Sequence, residues 1–143
     1  DMENALAQKA LSPPEARELI ERFLQALIDL MVGSPEAQRF VRIILREQLY
    51  PSPAYDLLFN RFMNPLLTAL SRLVAASTGS PPSRQTLVRA FSLVGQVVIF
   101  RIGRETMVRF LDLEGYSPGE TQEIKDIVLE QTRAALKNVA GAD

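Results

Sequence analysis

Ser12-Pro13-Pro14-Glu15-Ala16-Arg17-Glu18-Leu19-Ile20-Glu21-Arg22-Phe23-Leu24 decides the fold class. The serine hydroxyl suits an N-cap, because it accepts a bond from a first-turn amide. Proline in the first turn loses no donor that the helix needs, and Glu15 completes a capping box. Ala16, Leu19, Ile20, Phe23, Leu24, Leu27, Ile28 and Met31 then recur at the three-four spacing of one helical face, as far as Gly33. The pattern predicts an amphipathic helix over 13–32.

The same device recurs along the chain at Ser34-Pro35, Ser52-Pro53 and Ser117-Pro118, the last again with a glutamate, Glu120, three residues on. These starts predict helices over 35–49, 53–76 and 118–139. Pro65 lies inside the second of them, where it removes a backbone bond and clashes with the preceding turn, so a kink is expected. The loop Thr78-Gly79-Ser80-Pro81-Pro82-Ser83 precedes a fourth helix that reaches Ile102 and is apolar on nearly every face from Leu87 to Phe100. Such a helix should be covered on more than one side. Arg104 to Leu113 reads as a shorter helix or a continuation of the fourth, and no segment reads as a strand. The expected architecture is an all-α bundle of about five to seven helices, with residues 12–143 as one domain and residues 1–11 as the end of a helix that begins earlier.

Composition narrows the function. The chain of 143 residues has a formal net charge of -1 and neither cysteine, histidine nor tryptophan. Zinc sites, disulfides and serine- or cysteine-histidine catalysis are thereby excluded, and the near-neutral charge argues against direct contact with nucleic acid. No catalytic residue, metal or cofactor is expected. The apolar run from Ala90 to Phe100 is shorter than the ~20 residues that cross a bilayer, so a soluble, cytoplasmic protein without a membrane partner is expected.

Two constellations stand out. The first is a pocket near Pro65, with Phe59, Phe62, Met63 and Phe100 as apolar walls and Gln96, Arg101 and Arg104 as a polar corner. Glu47 lies on the apolar side of its helix, where it either fringes the core or, since buried charges are normally paired, orients one of these arginines. A few convergent polar groups in an apolar cavity suit a mid-sized, partly hydrophobic ligand bearing an anionic or carbonyl oxygen. The second is the surplus apolar surface of the helices starting at Ser83 and Pro118. Leu87, Phe91, Val94, Val98, Ile124, Ile127, Val128, Gln131 and Ala135 are the expected interface of a homodimer. Arg39, Arg42 and Arg46 form a basic stripe that reads as a solvated helix face.

Arg46-Glu47, then Tyr50-Pro51-Ser52-Pro53-Ala54-Tyr55, then Gly95-Gln96 leading to Phe100-Arg101 and Arg104, resemble the C-terminal domain of TetR-type bacterial transcriptional repressors, among them the CecR-like subgroup. The similarity runs from about Pro14 to Leu136. It implies a small-molecule effector pocket in the helical core and a four-helix dimer interface. It also implies an N-terminal helix-turn-helix domain through which DNA is bound and then released when the effector arrives. Residues 1–11 then read as the end of the helix connecting to that domain, and the chain as the regulatory half of a longer protein. A stand-alone helical module for binding another protein is the alternative; a small enzyme built on Glu47 and an arginine is disfavoured for want of any cofactor motif.

Overall fold

The first helix is capped where its serine stands. In a computed structural model, which describes residues 10–140, Ser12 Oγ accepts the Glu15 amide at 3.3 Å and the Glu15 carboxylate accepts the Ser12 amide at 3.2 Å. This box opens α1 (Pro13–Ile28), which runs on into a π-helical turn, π1 (Asp29–Gly33). The remaining elements are α2 (Gln38–Leu49), a short α3 (Tyr55–Leu58) continued by a second π turn, π2 (Phe59–Met63), then α4 (Asn64–Thr78), α5 (Arg84–Ile102), α6 (Arg104–Phe110) and α7 (Pro118–Ala140). No strand occurs among the described residues. The expected end of a connecting helix falls almost wholly on residues 1–9, outside the described ones.

The serine-proline starts do not all act alike. Ser34 and Ser52 cap a preliminary turn instead of the helix itself, with Ala37 and Ala54 donating their amides at 3.3 and 3.2 Å. Hence α2 and α3 begin two or three residues later than expected. A further box, unforeseen, opens α5: Ser83 donates its amide to Thr86 Oγ1 at 2.8 Å, and Thr86 returns its own to Ser83 Oγ at 3.2 Å. The predicted kink at Pro65 takes the form of π2. Its wider turn ends with the Asn64 amide bonded to the Phe59 carbonyl, five residues back, so the proline ring enters α4 in a first turn that needs no donor. Gly79, at φ 68°, closes α4 in the left-handed region, with Ser80 donating its amide to the Ala75 carbonyl at 3.0 Å.

The core lies where α1 crosses α4 and α5. Ala16, Ile20, Leu24 and Ile28 are all fully buried, as are Leu70, Leu73 and Val74 of α4 and Ala90 and Val97 of α5. Each large side chain so buried contributes about 1.5–3 kcal/mol. Several polar groups meet at the seams, although Arg17 Nε is buried without a hydrogen-bond partner among the described residues. Ser71 and Thr86 share a buried bond of 2.8 Å, and Arg17 donates to the Ser77 carbonyl at 3.1 Å. Lys125 meets Asp29 at 2.7 Å, joining α7 to π1. α2 is peripheral and packs mainly on π1 and α3.

α5 departs from expectation. Only the face bearing Thr86, Ala90, Leu93 and Val97 is covered, while Val88 is 61% exposed, Phe91 62% and Ile102 61%. By length and composition alone this 19-residue helix is apolar enough to cross a membrane, yet its inner face belongs to the bundle core. Truncating Leu70 to alanine should cost about 2–5 kcal/mol by urea unfolding, as expected of a fully enclosed side chain. Leu111→Ala, at a half-exposed position, should stay within ~0.5 kcal/mol.

Candidate functional site

The residues expected to form one pocket make their contacts in two groups. The first surrounds π2. Phe62 meets Phe40 of α2 edge-on, with ring centroids 6.5 Å apart, and Phe59 lies 6.3 Å from Tyr55. Met63 Sδ accepts a bond from Gln48 at 3.6 Å. This aromatic quarter is open: Phe59 is 42% exposed, Phe62 54% and Phe40 48%. It arises because the π turn and the peripheral α2 leave the start of α4 loosely covered.

The second group sits at the junction of α5, α6 and α7. Gln96 donates to Thr132 Oγ1 at 2.8 Å, and Thr132 in turn donates to the Val128 carbonyl at 2.7 Å. Gln96 therefore faces α7 and serves as a strut between helices. Phe100 packs partly buried against the core, and its carbonyl accepts the Tyr116 hydroxyl at 3.0 Å. Arg104 passes over Gly115, where a Cβ would lie only 2.9 Å from Nη2, and reaches Glu105 at 3.6 Å. Arg101 is half-buried and enters no ion pair among the described residues.

Glu47 behaves differently from expectation. It is indeed buried, at 9% exposed, but its carboxylate takes Ser52 in place of an arginine. Ser52 donates its amide at 3.1 Å and its hydroxyl besides, in a close contact with Glu47 Oε1. Two donors from one residue satisfy the charge and fix the corner at Tyr50-Pro51-Ser52-Pro53. The partner was therefore five residues away in sequence, within the serine-proline motif itself.

The surface with the clearest unmet demand is the outer face of α5 and α7. Val88, Phe91, Ser92, Gly95, Ile99 and Ile102 follow one another at three-four spacing, all exposed. Leu87 and Ile127 are 43% and 44% exposed, and Gln131 and Ala135 are open as well. An open groove of about 530 Å³ runs between the helices, lined by Val88, Arg89, Ser92 and Leu93 on one side and Ala135 and Leu136 on the other. Four of the expected interface positions are buried or half-buried in the single chain. Ile124 and Val128 are 7% and 1% exposed, because that stripe of α7 points into α1 and α4, and Val94 and Val98 are half-buried against the core. Val88, Ile99 and Ile102 are instead exposed. Their spacing was visible, but an all-round apolar helix does not disclose which of its faces turns inward.

Comparison with known proteins agrees with this architecture. The family described as the C-terminal domain of the HTH-type transcriptional dual regulator CecR matches residues 16–139. The HTH-type transcriptional dual regulator CecR of Shigella flexneri is 30% identical over 129 residues, 90% of this chain. The chain spans 57% of that relative's length.

Burial raises the Tyr116 phenol above its usual pKa of 10.0, with Arg104 opposing more weakly. The neutral form is thus favoured in the folded state. Its contribution is complete below pH 10 and is lost as pH rises beyond it. Tyr116→Phe should cost about 0.5–1.5 kcal/mol at neutral pH through the lost bond to Phe100. It should also flatten the fall of stability above pH 10, measured by chemical denaturation across pH 8 to 11.

Proposed function

The chain belongs to the CecR C-terminal domain family of TetR-type regulators, and from that premise we propose that it is the homodimerising, effector-sensing domain of a cytoplasmic transcriptional regulator. The observation that carries this reading is the outer face of α5. Phe91, Ile99 and Ile102 are each more than half exposed along a helix whose other side is core. A contiguous apolar strip of this kind marks an interaction surface. Pairing α5 and α7 with the same helices of a second copy makes a four-helix interface, and Gly95, with open space at its Cβ position, allows the two α5 helices to approach closely.

DNA is contacted, in this proposal, by an N-terminal helix-turn-helix domain preceding α1, and the dimer sets the distance between two such domains. The relative is described as a dual regulator, so the reading widens from repressor to regulator. The effector is proposed to be a mid-sized, partly hydrophobic molecule seated at the open aromatic quarter of Phe59, Phe62 and Met63. Arg101 is its candidate polar contact. Gln96 and Arg104 contribute indirectly, through the struts that hold α5 against α7 and the Tyr116 corner.

Sedimentation velocity at micromolar concentration should show a dimer. Phe91→Glu should weaken it about thirtyfold or more, since losing a central aromatic anchor costs at least ~2 kcal/mol. Folding should be kept, because the side chain is exposed in the single chain. A wild-type monomer at these concentrations would overturn the reading.

A further inference from the structure

Two surface patches of opposite sign are left over after the fold and the α5–α7 face are accounted for. The outer face of α2 carries Arg39, Arg42 and Arg46, all exposed and none paired with a carboxylate among the described residues. Set among them are Ile43, 58% exposed, and Tyr50, 76% exposed. A solvated basic face does not need large apolar groups between its charges. The opposite sign collects just past α6. Asp112 and Glu114 are exposed and enter no ion pair among the described residues, and they stand beside Phe110, 82% exposed, and Leu111, 50% exposed. Both patches therefore have the composition of an interface, with apolar surface for affinity and unpaired charge for register.

Their positions are related. α2 packs on π1, and π1 is held to the first turns of α7 by the Asp29–Lys125 ion pair and by Gly33, where a Cβ would touch the Thr121 methyl at 3.5 Å. Asp112 and Glu114 lie in the connection that leads into those same turns. The two patches thus share one end of the bundle. The apolar strip on α5 also ends there, at Ile102, one residue before the bend that starts α6.

We propose that the basic face of α2 in one copy docks on the acidic Asp112–Glu114 corner of a second copy. About a two-fold axis the contact is made twice and flanks the α5–α7 interface. The proposal rests on the dimer put forward above and deepens it, assigning part of its strength and its register to α2. An exposed ion pair alone contributes little, ~0–1 kcal/mol. Phe110, Leu111 and Tyr50 exclude water around the charges, and the duplication about the axis doubles the effect.

Charge exchange tests it. R42E/R46E makes α2 acidic; D112N/E114K makes the corner basic, with asparagine chosen because Asp112 sits at φ 55°, where asparagine is tolerated. All four side chains are exposed, and circular dichroism should find both variants folded. Each alone should raise the dimer dissociation constant about tenfold, equivalent to 1.4 kcal/mol, because both contacts become like-charged. Mixed in equal amounts, they should form a heterodimer whose contacts are both of opposite sign. Native mass spectrometry should then find heterodimer clearly above the half share of random pairing, and the excess should vanish at 1 M salt, where charges are screened within ~3 Å. If each variant dimerises like the wild type and the two mix at random, the docking of α2 is wrong while the α5–α7 dimer stands. If the wild type itself is a monomer, the dimer falls and this contact with it.

Discussion

A helix that is apolar on nearly every face demands cover on more than one side, and the described residues of this chain enclose one side of it. α5 is that helix, and the rest of the structure is arranged around half of the demand. α1, α4 and α7 close over Ala90, Leu93 and Val97, while the opposite side, with Phe91, Ile99 and Ile102, stays bare. At roughly 25 cal/mol for each Å² of apolar surface removed from water, a bare strip on a 19-residue helix is a standing drive towards association. The same helix therefore anchors the core on one side and, on the proposed reading, supplies the dimer face on the other. A polar substitution inward and one outward have different consequences for that reason.

Much of the bundle was legible because its signals are local. The Ser12 box and the periodic run Ala16, Ile20, Leu24, Ile28 name both the start of α1 and its buried face, and all four of those residues are fully enclosed. What resisted reading depends on partners distant in space or on backbone alternatives close in energy. Ile127 and Val128 are adjacent on α7, and only the placement of α1 and α4 decides that Val128 goes inward while Ile127 stays 44% exposed. The π turns are another case. A proline announces trouble for the ladder but not its remedy, and widening the turn at Phe59–Met63 answers it as well as a sharp kink would. Glu47 is buried as its place on the helix requires, yet its partner is Ser52, in the motif next to it, and not a distant arginine.

The site suffered from a further ambiguity. Aromatic residues and polar groups that fall in one region of a helical drawing need not meet in the fold. Phe59, Phe62 and Met63 do gather, together with Phe40 and Tyr55, but Gln96 turns the other way to bond Thr132. Spacing along α5 placed Gln96, Arg101 and Arg104 at one end of the helix. It gave no means of telling that Gly115 would let Arg104 lie across the loop towards Glu105, beside Tyr116. Contacts of that kind depend on a missing side chain elsewhere, which no periodicity records.

Stability is unevenly distributed in this fold, and that unevenness bears on how binding in one quarter could act on another. α1 and α4 are joined by fully buried side chains along their length, whereas α2 has Val41 and Glu47 as its buried residues and leans on π1 and α3. Segments with few enclosed contacts open first. A molecule seated against Phe59 and Phe62 would touch Phe40, and through it α2, before it touched the core. From α2 the next contact is π1, which is tied to α7 by Asp29 and Lys125 at 2.7 Å. α7 carries Ile127 on the bare face it shares with α5. A route from the aromatic quarter to the proposed dimer face thus crosses one π-helical turn, a backbone form that occurs mostly as a single-turn bulge and often at functional sites. Coupling needs an element with two discrete arrangements that both sites bias, and on the proposed reading π1 is the element that lies between them.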